Sequence, residues 1–243
     1  MTRLSIVSGL SPKCLYIKHV GIGDLAIVRD AHPKDTDVYK GKIGTRDVIV
    51  KVLKKQLGPN EERLKMLMKQ AIDWQKLHHD NVLPVLGLYY YDEARLRPCL
   101  VYPWMEQRSL DESDPRGDLN VFATGAIAGI RAIDKQKLVH GDLQNRSFLI
   151  DKSNVAHIAD LGLASLLHFG TLSQTDSTSD RRRCARALCK LYGTQSANVT
   201  RPKAASEDIW DTIQRWSGIN TQQNMPARGG ARDAAPLPPS TSK

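Results

Sequence analysis

Residues 138–165, LVHGDLQNRSFLIDKSNVAHIADLGLAS, restrict the fold of this chain more than any other stretch. An apolar pair, Leu138 and Val139, leads into His140-Gly141-Asp142, and a second apolar group, Phe148, Leu149 and Ile150, follows. After a polar turn another β-like run ends at Asp160-Leu161-Gly162, so each of two acidic residues closes a short apolar segment. This spacing predicts a strand-loop-strand hairpin with both carboxylates on one side, an arrangement suited to holding a metal-phosphate and orienting a hydroxyl.

The chain has 243 residues, 41% of them hydrophobic, enough to build a core. It contains no apolar run of about 18 residues, so no membrane span is expected. The cationic, apolar and small-residue succession of a secretion signal is also missing at the start, and the expected location is cytoplasm or nucleus. Cys14, Cys99, Cys184 and Cys189 are scattered without a C-x-x-C pair, which favours free thiols over zinc or disulfide frameworks. The net charge of +9 is spread over 51–55, 181–183 and the C-terminal tail without interleaved aromatics. That distribution predicts a generally basic surface and no specific nucleic-acid site.

Residues 1–30 read as an N-terminal extension, in which Gly21-Ile22-Gly23 is a turn rather than a phosphate loop. Two β-branched runs, 37–42 and 48–53, flank a Gly-containing turn and predict a hairpin. Its second run sets Lys51 among apolar neighbours, where a lone lysine is ordinarily a snorkelling edge residue. Apolar Leu64, Leu67, Met68, Ala71, Ile72, Trp74 and Leu77 recur with helical period over 61–77. His78 and His79 follow as structural histidines, since adjacent rings do not readily share one ion. Strands are expected at 86–91 and 98–101, and a helix at 119–137. Residues 171–180 are Ser/Thr/Asp-rich and read as loose, 184–192 as helical, and 206–216 as a helix with a capping-box-like start at Ser206. The Gly/Pro/Ala/Ser-rich stretch 217–243 reads as a disordered tail.

In order, the chain carries D-V-Y-K-G from Asp37, V-I-V-K ending at Lys51, H-x-D-N-V-L-P from His78, P-W-M-E from Pro103, H-G-D-L from His140 and D-L-G from Asp160. The series resembles eukaryotic protein kinases of the serine/threonine and tyrosine-kinase-like group over residues 31–216. H-G-D-L alone also occurs in aminoglycoside-phosphotransferase-like enzymes; the N-terminal pattern and the hinge-like 102–106 separate the two. The resemblance implies an α+β, two-lobed fold. The small lobe, 31–102, would be an antiparallel sheet with one helix, and the large lobe, 103–216, mainly helical and shortened. It also implies Lys51 on nucleotide phosphates, Tyr102, Trp104 and Met105 near an adenine, Asp142 as base, and Asp160 with Ser147 on metal. ATP and magnesium are the implied cofactors wherever nucleotide binding is retained.

Against that pattern several positioning groups are altered. No glycine stands in 31–38, where a phosphate cradle belongs, and Pro33 removes an N–H there. The helix glutamate that would pair with Lys51 is Gln70, the catalytic-loop lysine is Gln144, and the second metal-binding Asn is Ser147. Gly141 replaces an arginine, only 19 residues separate Asp160 from Asp180, and no A-P-E occurs between them. If Ser179-Asp180 opens the next large-lobe helix, Arg181-Arg182-Arg183 fall where burial without partners is prohibitive, so the helix is exposed or the lobe incomplete. The expected function is a degenerate kinase domain with weak or no phosphotransfer that binds a protein partner. An active serine/threonine kinase acting on a protein hydroxyl, and a partly folded truncation, stand as alternatives.

Overall fold

Alternation of β-branched residues between Val48 and Val52 builds the centre of the first sheet. In the computed structural model, which describes residues 17, 20–27, 36–53, 61–90, 98–105, 108–110, 115, 117–161, 177–195, 197 and 200–219, strand β3 (Arg46–Leu53) lies between β2 (Thr36–Ile43) and β5 (Pro98–Pro103). Strands β1 (Gly21–Ile27) and β4 (Gly87–Tyr90) complete an antiparallel sheet of order β1-β2-β3-β5-β4. The period of two sends Val48, Val50 and Val52 to one face with Cys99 and Val101. Ile49, Leu100 and Tyr102 go to the opposite face, which packs on the main core.

One expectation changes here. Gly21-Ile22-Gly23 is not a turn but the start of β1, pairing Gly21 with Lys42 and Ile22 with Gly41. The sheet therefore begins inside the stretch set apart as an extension. A side chain at Gly41 would stand 2.8 Å from Val20 Cγ1, so two glycine-bearing strands can approach where bulkier ones would not. Lys51 lies on an interior strand, which sets aside the snorkelling-edge alternative to the strand lysine that the kinase resemblance implies. The remaining 1–16 and the glycine-free cradle, 28–35, lie outside the described residues.

Helix α1 (Glu61–Lys76) buries Ala71 and Trp74, and the segment after it runs to β8 (Ala156–Ile158) of a second sheet. Asn81 is the fastener: its amide donates to Ala156 O at 3.0 Å and its carbonyl accepts Ile158 N–H at 2.8 Å. His79 Nδ1 accepts Asn81 N–H at 3.1 Å, a turn-forming role. The second sheet has order β6-β7-β8, with β6 (Arg108–Ser109) and β7 (Phe148–Ile150). The expected hairpin is thus β7–β8, while Leu138 and Val139 precede it without forming a strand.

Helix α2 (Leu119–Lys135), capped by Asp118 accepting Asn120 N–H at 2.8 Å, runs behind this sheet. Gly129 permits the contact, since a Cβ there would lie 2.7 Å from both Asn81 O and Ile158 Cδ1. Helices α3 (Ser177–Leu191) and α4 (Glu207–Trp216) pack against it. Helix α3 starts earlier than expected: 177–180, read as loose, form its first turn. Asp180, Cys184, Ala187 and Leu188 share a buried face, and that burial overrides the polar composition. None of the three arginines is buried without a partner. Arg182 is exposed, Arg181 Nε donates to Asp134 Oδ2 at 2.6 Å, and Arg183 Nη1 donates to Gly141 O at 2.7 Å. Ser206 is the N-cap of α4, but its hydroxyl donates to Asp208 Oδ1 at 2.6 Å instead of closing a capping box. Cys99, Cys184 and Cys189 are buried free thiols, whereas Cys14 and 220–243 lie outside the described residues. No described helix is long and apolar enough to cross a membrane.

Candidate functional site

Lys51 reaches across from β3 to form an ion pair with Asp160, just beyond β8, with side chains only 11% and 15% exposed. Its ammonium also lies 5.9 Å from the centre of the Tyr102 ring. Asp160 has φ of 65°, a left-handed conformation that Asp adopts more readily than most side chains. Tyr102 is 1% exposed, and its hydroxyl meets no hydrogen-bond partner among the described residues. Burial, and then the negative charge of Asp160, push that phenol well above its ordinary pKa, so it stays neutral.

The loop 140–147 is held from beneath by Asp180. This buried carboxylate accepts His140 N–H at 2.7 Å and Gly141 N–H at 3.3 Å. Gly141 has φ of 84°, a backbone that glycine adopts without penalty and arginine does not. His140 is buried, with Nε2 2.8 Å from Ala159 O, and Ala159 N–H donates to Ser147 O at 2.8 Å. The loops carrying Asp142 and Asp160 are therefore stapled together by the His140 ring and by a backbone hydrogen bond.

Both altered positions of the loop spend their polar groups locally. Gln144 Nε2 donates to Asp142 Oδ1 at 2.6 Å, and Arg146 Nη2 lies 3.4 Å from Asp142 Oδ2. Ser147 is 2% exposed, with its hydroxyl accepting Gln144 N–H at 3.2 Å. In the hinge-like segment, Tyr102 still belongs to β5, while Trp104 donates its backbone N–H to Asp47 O at 3.1 Å. Trp104 presents its ring to Lys40, 4.3 Å away, and Met105 packs on the core. The side chain of Gln70 and residues 162–176 lie outside those described.

Several of the residues implied for magnesium nucleotide are engaged within the chain. Asp160 is engaged by Lys51, the Ser147 hydroxyl turns into its own loop, and Trp104 N–H is taken. No group of three His, Cys, Asp or Glu side chains gathers around a common point among the described residues. The structure brings Lys51, Tyr102 and Asp160 together and puts Asp142, Gln144 and Ser147 on one braced loop. The sequence offered Asp180 only as the start of a helix; its place beneath the loop comes from a contact spanning 40 residues that no local pattern encodes.

The family model described as protein tyrosine and serine/threonine kinase matches residues 15–186. The Pelle-like serine/threonine-protein kinase pik-1 of Caenorhabditis elegans is 28% identical over 144 residues, covering 52% of this chain and 29% of the relative. From Arabidopsis thaliana, the leaf rust 10 disease-resistance locus receptor-like protein kinase-like 2.2 is 30% identical over 135 residues, covering 53% of this chain. The PR5-like receptor kinase of the same plant is 29% identical over 142 residues, again covering 53%. The chain spans 20% of the length of each of these two plant relatives.

Proposed function

Because the chain belongs to the protein tyrosine and serine/threonine kinase family, we propose that it is a kinase-fold binding module with weak or no phosphotransfer, acting through contact with other proteins. The observation that carries this reading is the closed catalytic loop. Gln144, standing where the family has a cation for the transferring phosphate, instead donates to Asp142 Oδ1, and Ser147 accepts Gln144 N–H. Phosphoryl transfer depends almost entirely on positioning and charge stabilisation. Loss of one such group commonly costs orders of magnitude in rate, and here the cradle glycines, Gln70, Gln144 and Ser147 depart together.

Retention of Lys51, Asp142 and Asp160 favours a second reading, an active serine/threonine kinase with Lys51 on phosphates, Asp160 on magnesium and Asp142 as base. Thermal unfolding with ATP, with magnesium and with both separates the two. A ligand that binds only the folded state raises the transition by mass action, by about 2.7 kcal/mol at a hundred times its Kd. The expected result is no shift at millimolar ATP with magnesium. A magnesium-dependent rise that vanishes in Asp160→Asn supports the second reading.

A further inference from the structure

A groove of about 370 Å³ lies between the Asp142 loop and helix α3, lined by Asp142, Gln144 and Asn145 on one side and by Arg183, Arg186 and Lys190 on the other. We infer that this groove is a docking site for an extended acidic segment of a partner protein, an inference that rests on the binding-module reading above.

The three cations recur at the spacing of one helical face, so they form a stripe rather than a scatter. At about 1.5 Å rise per residue the stripe is on the order of 10 Å long, the span of about three residues of an extended peptide. Arg186 and Lys190 are exposed, and no described carboxylate pairs with either. Arg183 differs: its Nη1 is fixed on Gly141 O at 2.7 Å, which holds the guanidinium at the groove wall and lowers the entropy lost on binding. Asp142, the one carboxylate of the lining among the described residues, is bonded to Gln144 and Arg146, which reduces its repulsion of an incoming acid.

Charge complementarity selects the occupant. Carboxylates at successive or alternate positions of a strand-like segment match the guanidinium and ammonium groups. The stretch leading into α3, residues 162–176, has a single acid, Asp176, and so lacks the composition to fill the groove. Among the described residues no aromatic side chain lines the groove to stack a base, which favours peptide over single-stranded RNA. A segment lying there passes over Asp142, the place at which a hydroxyl substrate would enter a working kinase.

Fluorescence anisotropy on the full chain tests this with a short labelled peptide of alternating Glu and Ser, its Gln counterpart, and an oligouridine of similar length. The Glu peptide is expected to bind at low salt and weaken as salt rises. Arg186→Glu with Lys190→Glu is expected to weaken it about tenfold or more, since two attractions become repulsions. Both positions are exposed, so an unchanged thermal transition is the folding check. Equal binding of the Gln peptide, tighter binding of oligouridine, no binding of the Glu peptide, or equal binding by the charge-reversed variant overturns the inference. Phosphotransfer assayed on the same preparation reports separately: appreciable label incorporation that depends on Asp160 removes the binding-module reading, whatever the peptide does.

Discussion

Asp180→Ala is expected to destabilise the folded protein by about 2–4 kcal/mol, because it strips the acceptor from two buried backbone N–H groups, each costing about 1–3 kcal/mol when left without a partner. Total stabilities of about 5–15 kcal/mol make this a large share. The bonds concerned are those to His140 and Gly141, beneath the loop that carries Asp142. Asp180→Asn retains an acceptor oxygen and is expected to cost less. Urea unfolding of the three proteins at equal pH checks the order. A cost under about 0.5 kcal/mol for alanine would show that the loop does not depend on this carboxylate. The pH dependence has a definite sign. Burial raises the Asp180 carboxyl above its ordinary value, outweighing the favourable His140 and Arg183 environment. The folded state then holds the proton more tightly than the unfolded one. This contribution to stability is full below the ordinary carboxylate pKa and is lost as pH rises through the raised value. Asp180→Asn should abolish that fall.

Lys51→Met leaves the carboxylate of Asp160 without its ammonium partner in a site only 15% exposed, and is expected to cost about 1–3 kcal/mol. Asp160→Asn keeps a residue tolerant of the left-handed backbone and removes the charge. The double variant is therefore expected to be destabilised by less than the sum of the singles, with a coupling of about 1 kcal/mol. Denaturation of the four proteins measures the cycle. Additivity to within about 0.3 kcal/mol would mean that the two groups do not interact in solution. The experiment also separates two roles for one pair of residues. An interaction holding β3 to the loop beyond β8 shows in stability, whereas a nucleotide site shows only when nucleotide is present.

The hairpin 37–53, the amphipathic 61–77, the helix at 119–137 and the β7–β8 turn were legible because each writes its burial into a short period. Gly21-Ile22-Gly23 was not, since two glycines read as a turn while the segment pairs as a strand with 41–42, where the close approach falls on Gly41. Residues 177–180 read as loose, with a helix start at Ser179-Asp180 only as a conditional reading, for a related reason. Ser, Thr and Asp favour helix starts as much as loops, and the burial of Asp180 is decided by His140 and Gly141, far away in sequence. In the site, the residue types at 51, 142, 144, 147 and 160 were readable, but their directions were not. Nothing local told that Gln144 would turn onto Asp142, that Ser147 would face its own loop, or that Arg183 would reach Gly141 O. Such contacts are set by the packing of α3 under the loop.

Transfer of labelled γ-phosphate from ATP in the presence of magnesium, to the chain itself and to a general protein acceptor, tests the central claim most directly. The account predicts incorporation at most marginally above that of Asp160→Asn, with both proteins melting cooperatively. Appreciable incorporation by the unaltered protein that disappears in Asp160→Asn and in Asp142→Asn, both still folded, would contradict it and establish a working phosphotransferase.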